Sequence, residues 1–135
     1  RSLIVALLHE ERAASVASRA MVKPIYKILG EGDYEAAKSR GHFLGSADDL
    51  RDGFIHFSAG HQVAGTLAKH YAGQADLVLL SVDPHRLGSA LRWEKSRGGD
   101  LFPHLYGPLA LDAVVADTPL ALDDDNRHIL PKGVA

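Results

Sequence analysis

Residues 54–82, FIHFSAGHQVAGTLAKHYAGQADLVLLSV, decide the fold. They open on FIHFS, a short β-branched and aromatic run that reads as a strand over 54–58. Behind it, Val63, Leu67 and Tyr71 recur at every fourth position with Ala64 and Ala68 beside them, while Gln62, Lys69 and His70 lie on other faces. That spacing predicts an amphipathic helix within residues 59–73. DLVLLSV is then the most apolar run after residues 3–8, which suits a strand buried on both faces and is ended by Asp83 and Pro84. Strand, helix and buried strand in so short a stretch place the chain among mixed α and β proteins.

Upstream, PIYKIL at 24–29 reads as a strand punctuated by Gly30 and Gly32, and Asp33 can cap a helix that runs to about Arg40 and stops at Gly41. In SADDLRDG at 46–53, Ser46 caps a short helical turn with Asp49 three residues on, and Gly53 breaks it. Downstream, LRWE at 91–94 and LDAVVA at 111–116 are strand candidates. Between them lie a flexible SRGGD loop and LFPHLYGP, an aromatic segment locked by two prolines. From Asp123 the tail is acidic. No repeat and no internal boundary appears, so the expectation is one α+β domain over residues 21–135, with five to six short strands and two to three helices. Residues 1–20 carry an apolar run at 3–8, too short for a membrane span of about 20 residues. Met21 is the single methionine, so this leader reads as sequence upstream of the native start, or otherwise as an N-terminal helix.

Composition narrows the function. The 135 residues balance 15 Lys+Arg against 17 Asp+Glu for a net charge of −2, which disfavours nucleic acid and anionic membranes as partners. The absence of cysteine removes thiol catalysis, disulfides and thiolate metal sites. GEGDYE at Gly30 lacks the third glycine of a dinucleotide loop, HEERA at His9 lacks the second histidine of a zinc protease, and neither a GxSxG elbow nor a phosphate-binding P-loop occurs. Eight histidines remain, none spaced two or four from another, so no bound metal is expected. Of these, His42, His61, His70, His85 and His128 read as surface residues.

Two segments suit a ligand site. In GFIHFSAGHQ, alternation puts Phe54, His56 and Ser58 on one face of the strand and Ile55 and Phe57 on the other. In RWEKSRGGDLFPHLYG, Arg92, Trp93, Glu94, His104 and Tyr106 crowd around a glycine-rich loop. The plainer reading makes Trp93, Phe102 and Tyr106 core anchors.

PIYKI, GFIHFSAGHQ, DLVLLSVD, LRWE and FPHLYGPL, in this order and spacing, resemble the bacterial family called domain of unknown function 952. The resemblance begins near Lys23. It departs where Phe57 replaces a frequent cysteine and where Tyr34 is the nearest aromatic to a frequent tryptophan after the first strand. That family is similar in fold to the ADP-ribosyltransferase superfamily, which implies a small split β-sheet with a cleft for NAD as substrate. It also implies a histidine on an early strand that bonds a ribose hydroxyl, an aromatic that stacks on nicotinamide, and a late residue, often Glu, that steadies the attacked ribose. His56 matches the first of these. Glu94, His104 and Tyr106 are the remaining catalytic candidates, and Ser58, Gln62, Arg92 and Trp93 the binding ones, with Arg92 or Arg97 available to the pyrophosphate.

The chemistry fits those residue types. Cleaving the nicotinamide bond develops oxocarbenium charge that a carboxylate can stabilise. Neutral imidazole both donates and accepts, which suits a ribose diol or proton transfer. The implied activity is a cytoplasmic NAD-utilising transferase or glycohydrolase. The alternatives are a non-catalytic NAD or ADP-ribose binding module and a 2'-phosphotransferase; oligomeric state is open.

Overall fold

The structure, a computed structural model, describes residues 23–134. The apolar run at 77–82 does become the central element: β5 (Leu77–Val82) lies between β1 (Ile25–Gly30) and β9 (Val114–Leu120) in an antiparallel sheet of order β4-β1-β5-β9, where β4 is Ser58–Ala59. Ile25 pairs with Val82 and Gly30 with Leu77, so β1 and β5 run side by side over their full length. One face packs Ile25, Leu29, Val78 and Leu80 against Tyr34, Ala37, Ile55, Phe57 and Leu105. The other packs Tyr26, Ile28, Leu77 and Leu79 against Val63 and Leu67 of the amphipathic helix. Burial of both faces explains why the run shows no polar alternation.

Three α-helices occur among the described residues: α1 (Glu31–Arg40), α2 (Ala47–Asp52) and α3 (Val63–His70). Helix α1 starts two residues before Asp33, with Gly30 at its N-cap, because the Glu31 amide is already satisfied by the Asp76 carbonyl at 2.8 Å. Its stop at Gly41 (φ 84°) is as expected. Helix α2 carries the expected capping box between Ser46 and Asp49 and ends on Gly53 at φ 86°. The helix expected within 59–73 is shorter, a 3-10 turn at Gly60–Gln62 leading into α3.

Several strands exceed the expected five to six, because short pairings escape a sequence pattern. The first is β2 (His42–Phe43), which pairs with β8 (Leu109–Ala110). The FIHFS run is the second case. It divides at Phe57: β3 (Ile55–His56) joins β7 (Leu101–Leu105) and β6 (Leu91–Lys95) in a sheet of order β3-β7-β6, while β4 joins β1. One stretch thus belongs to two sheets, and the chain is an α+β domain with split antiparallel sheets. Pro103 sits in the central strand of the smaller sheet, where proline is unusual. A strand residue points its N and O to the same neighbour, and the Pro103 carbonyl accepts from the Phe57 amide at 2.9 Å. Its missing N–H therefore faces Phe57, where the chain is already leaving for the other sheet.

Candidate active site

The two sheets part where the chain crosses between them, and a cavity of about 260 Å³ fills the gap. Its wall is built from β1, α2, α3, the β3–β4 crossover and β7. The face of the smaller sheet that borders it carries a row set by register: His56 of β3 opposite His104 of β7, and His104 opposite Arg92 of β6. Imidazole centroids lie 5.7 Å apart at 72°. Phe54 stacks on His104 at 4.1 Å and meets His56 at 4.7 Å, so one aromatic ring sets the pitch of both.

His56 is held from behind by Asp49. Its Nδ1 lies 2.6 Å from Asp49 Oδ1, and its amide donates to the same oxygen at 3.1 Å. Lys27 reaches Asp49 Oδ2 at 2.9 Å and donates to the His56 carbonyl at 2.9 Å; the Ser46 amide donates to Asp49 Oδ2 at 2.9 Å. Lys27 and Asp49 are only 3% and 2% exposed, so this is a buried ion pair inside the fold. Burial alone would push Asp49 up, but the His56 hydrogen bond and the Lys27 charge outweigh it and hold the carboxyl well below the usual carboxylate range. Burial pulls the Lys27 ammonium down while Asp49 opposes it. The donors converging on both Asp49 oxygens decide for the ionised carboxylate. An ionised Asp49 accepts the proton on Nδ1 of His56, and Nε2 lies 3.0 Å from Oδ2 of Asp52, an oxygen it can meet only as an N–H donor, so carboxylates face both nitrogens of this ring; Asp52 is one-third exposed on the cavity wall.

This arrangement fixes a pH dependence. Asp49 has a folded pKa below its ordinary value of 3.8, so its contribution to stability is complete above that value and is lost as pH falls through the folded one. Thermal unfolding followed by circular dichroism is expected to give a steady midpoint from neutrality to about pH 5 and a steep fall below about pH 4. A variant lacking both Lys27 and Asp49 should lose much of that acid limb; an unchanged limb would assign it to other carboxylates.

His104 has its own carboxylate. Its Nδ1 lies 2.9 Å from Glu94 Oε1, to which the Tyr106 hydroxyl also donates at 2.6 Å. The Tyr106 bond, then the His104 bond, holds the Glu94 carboxyl below its usual range and correspondingly raises the Tyr106 phenol. With Nδ1 committed to Glu94, Nε2 keeps the ring's free lone pair.

Of the nine residues singled out from sequence, His56, Ser58, Arg97 and His104 line the cavity. Glu94 and Tyr106 sit behind His104 as its partners, and Arg92 stacks over Tyr106 at 4.9 Å. Gln62 and Trp93 lie elsewhere. The Gln62 amide is spent on structure, accepting from the Ala59 amide at 2.9 Å and donating to the Leu101 carbonyl at 2.8 Å. Trp93 is 47% exposed, neither a core anchor nor part of the cavity wall, because its position alternates with Arg92 and Glu94, which share the sheet face of His104. Gln62→Ala should therefore cost about 1–3 kcal/mol of stability by orphaning that amide and carbonyl, and leave ligand affinity alone. Denaturant midpoints and a binding isotherm separate the two; lost affinity in a stable variant would return Gln62 to the site.

Sequence reasoning missed Lys27, Asp49 and Asp52. Asp49 carried a signal, but its capping role accounted for it. Lys27 lay inside PIYKIL, where a lone lysine in an apolar strand is itself a sign of a buried partner. Of the five histidines read as surface, His61, His70 and His85 are exposed and His42 and His128 half-buried, but His70 also reaches the cavity wall.

Fold and site together define a small α+β domain whose split holds two imidazoles, each oriented by a carboxylate. The chain belongs to the family described as protein of unknown function (DUF952), whose model matches residues 28–117. It is similar to protein CC0527 from Caulobacter crescentus. The crystal structure of that protein has 53% identity and a TM-score of 0.76, over 78% of this chain and 93% of that one. Its solution NMR structure has the same identity and a TM-score of 0.71, over 78% and 91%. Among curated proteins none matches. No helix among the described residues is long and apolar enough to cross a membrane.

Proposed function

We propose that this cleft binds NAD by its nicotinamide-side ribose and cleaves the glycosidic bond, as an ADP-ribosyltransferase-like glycohydrolase or transferase working on the cytoplasmic NAD pool. One observation carries this reading: His56 and His104 stand side by side on neighbouring strands, each with Nδ1 fixed by a carboxylate, at the edge of one cavity. In such a pair His104 can move a proton through Nε2, and His56 can bond a ribose hydroxyl through Nε2 where that hydroxyl enters between it and Asp52. In hydrolysis, the bond from C1' to the pyridine nitrogen breaks with both electrons leaving on neutral nicotinamide, so no acid is needed there. Water adds to C1' and gives its proton to His104 Nε2. The oxocarbenium charge needs an anion on the cavity wall, and Asp52, which lies there beside His56 Nε2 and is oriented by its ion pair with Arg51, is better placed than Glu94, which sits behind His104. Glu94 is then a positioning residue, and Tyr106 acts through it.

The cavity volume favours a second reading. At about 260 Å³ it falls just under the about 300–1,000 Å³ of sites that enclose a drug-sized ligand, so a dinucleotide must lie partly outside it. That suits a module that binds NAD or ADP-ribose without turnover. Incubating the whole chain with NAD and measuring nicotinamide separates the two. Release supports the enzyme, calorimetric binding without release supports the module, and neither result would remove both.

A further inference from the structure

The smaller sheet has a free edge. Strand β6 pairs with β7 on one side, and among the described residues no strand lies on the other. Its main chain alternates between the two sides. Just before β6 the Ala90 carbonyl accepts from the Tyr106 amide at 2.8 Å, and just after it the Ser96 amide donates to the Asp100 carbonyl at 2.9 Å. Arg92 and Glu94, in step with Ala90 and Ser96, therefore turn their N–H and C=O toward β7, while Leu91, Trp93 and Lys95 turn theirs outward. Pro103 agrees, since it stands opposite Trp93 but bonds Phe57.

An open edge is a template for another strand, and folds commonly guard it with charge. The charges of β6 select a partner instead, because they are placed symmetrically about Trp93, with Arg92 before it and Glu94 after it. When the strand meets a copy of itself antiparallel, Trp93 opposite Trp93, each Arg92 stands opposite the Glu94 of the other copy. The outward groups then all bond, Leu91 with Lys95 and Trp93 with its counterpart. Arg92 and Glu94 fall at the non-hydrogen-bonded pairs, where Cα atoms approach to about 4.5 Å and side chains are closest. Slipping by two residues sets Arg92 against Arg92 or Glu94 against Glu94, and slipping by one opposes outward groups to inward ones. Both side chains have capacity for the contact. Arg92 forms no ion pair among the described residues, and both bonds to Glu94 fall on Oε1, leaving Oε2 to accept. On the other face of the sheet, Trp93 and Leu101 are 47% and 50% exposed and add apolar surface.

We infer that β6 pairs antiparallel with β6 of a second copy of this chain, centred on Trp93, so that two smaller sheets join into one continuous sheet across a two-fold axis. The pairing reaches the site from behind, since Arg92 of one copy bonds the Glu94 carboxylate that orients His104 of the other. It holds whatever the cleft binds.

A five-residue edge covers less than the roughly 800 Å² per partner of a standard interface, so the dimer is weak and concentration-dependent. Sedimentation equilibrium of the whole chain from about 10 µM to about 1 mM should show the average mass rising toward twice that of one chain. Hydrogen exchange over that range should slow at the amides of Leu91, Trp93 and Lys95, while those of Arg92 and Glu94, bonded to β7, stay protected throughout. Arg92→Glu and Glu94→Arg should each weaken self-association by about tenfold or more, and mixing the two should restore a dimer because every reversed charge then meets its opposite. Trp93→Pro removes an outward N–H that bonds nothing in its own chain, so it should abolish the dimer with circular dichroism unchanged. That variant keeps the test decisive if Glu94→Arg disturbs the fold. A wild type that stays monomeric up to about 1 mM would overturn the inference, as would outward amides whose exchange ignores concentration. A dimer that survives Trp93→Pro, or folded charge-reversed variants that fail to associate when mixed, would do the same.

Discussion

Asp49→Ala is expected to destabilise the protein by about 3–5 kcal/mol, enough to threaten folding of a domain this size. Two effects compete for that figure. As the partner of Ser46 in a capping box, Asp49 stabilises α2, and losing a cap costs about 1 kcal/mol. As the partner of Lys27 it neutralises an ammonium that is 3% exposed, and its removal strands that charge in the core. The second effect dominates, because the desolvation cost of Lys27 is incurred whether or not its partner is present. A rescue decides between them. Lys27→Met combined with Asp49→Leu removes both charges and should recover most of the loss, since a buried ion pair is replaceable by apolar packing; a lost cap would not recover. Denaturant midpoints at constant m supply the measurement. A single-variant cost near 1 kcal/mol, with no rescue, would reduce Asp49 to a helix cap. The rescued double variant has a further use: His56 keeps its strand but loses the acceptor that fixes Nδ1, so stability should return while nucleotide binding does not.

The same residues show how far the sequence was legible. Elements whose cause is local were readable: the capping box at Ser46, the left-handed stops at Gly41 and Gly53, the largely apolar strand at 77–82, and the face shared by His56 and Ser58. What depends on pairing between distant segments was not. Nothing local in FIHFS says that the chain changes sheets at Phe57, because alternation is the same whichever partner each half finds. The strand register that sets His56 beside His104 is likewise a property of two segments 48 positions apart. The LFPHLYGP segment read as an aromatic segment locked by two prolines and not as the strand it contains, because Pro103 is harmless in a strand only where β3 ends. Trp93 and Glu94 read as site residues from composition. Register turns Trp93 outward and puts Glu94 behind the imidazole it orients.

His56→Ala should leave the protein folded and abolish its stabilisation by NAD or ADP-ribose, because Asp49 keeps Lys27, the Ser46 amide and the amide of residue 56. If turnover is observed, the same change and His104→Gln should each lower kcat/KM for nicotinamide release by about 10²–10⁴-fold, the span of a lost acid–base group. Their combination discriminates between mechanisms. Two imidazoles that serve one transition state act as a unit, so the double variant should be little worse than either single one; independent contributions would multiply. Glu94→Gln adds a third comparison. The amide can still accept from Tyr106 but does not hold the His104 proton as a carboxylate does, so kcat should fall by less than in His104→Gln while KM stays near that of the wild type. A carboxylate that instead touched the ribose directly would show itself in a Glu94→Gln loss as deep as the histidine variants, and Asp52→Asn would then be silent. The opposite pattern, a deep loss in Asp52→Asn and a shallow one in Glu94→Gln, is the one expected, since Asp52 and not Glu94 lines the cavity at His56 Nε2.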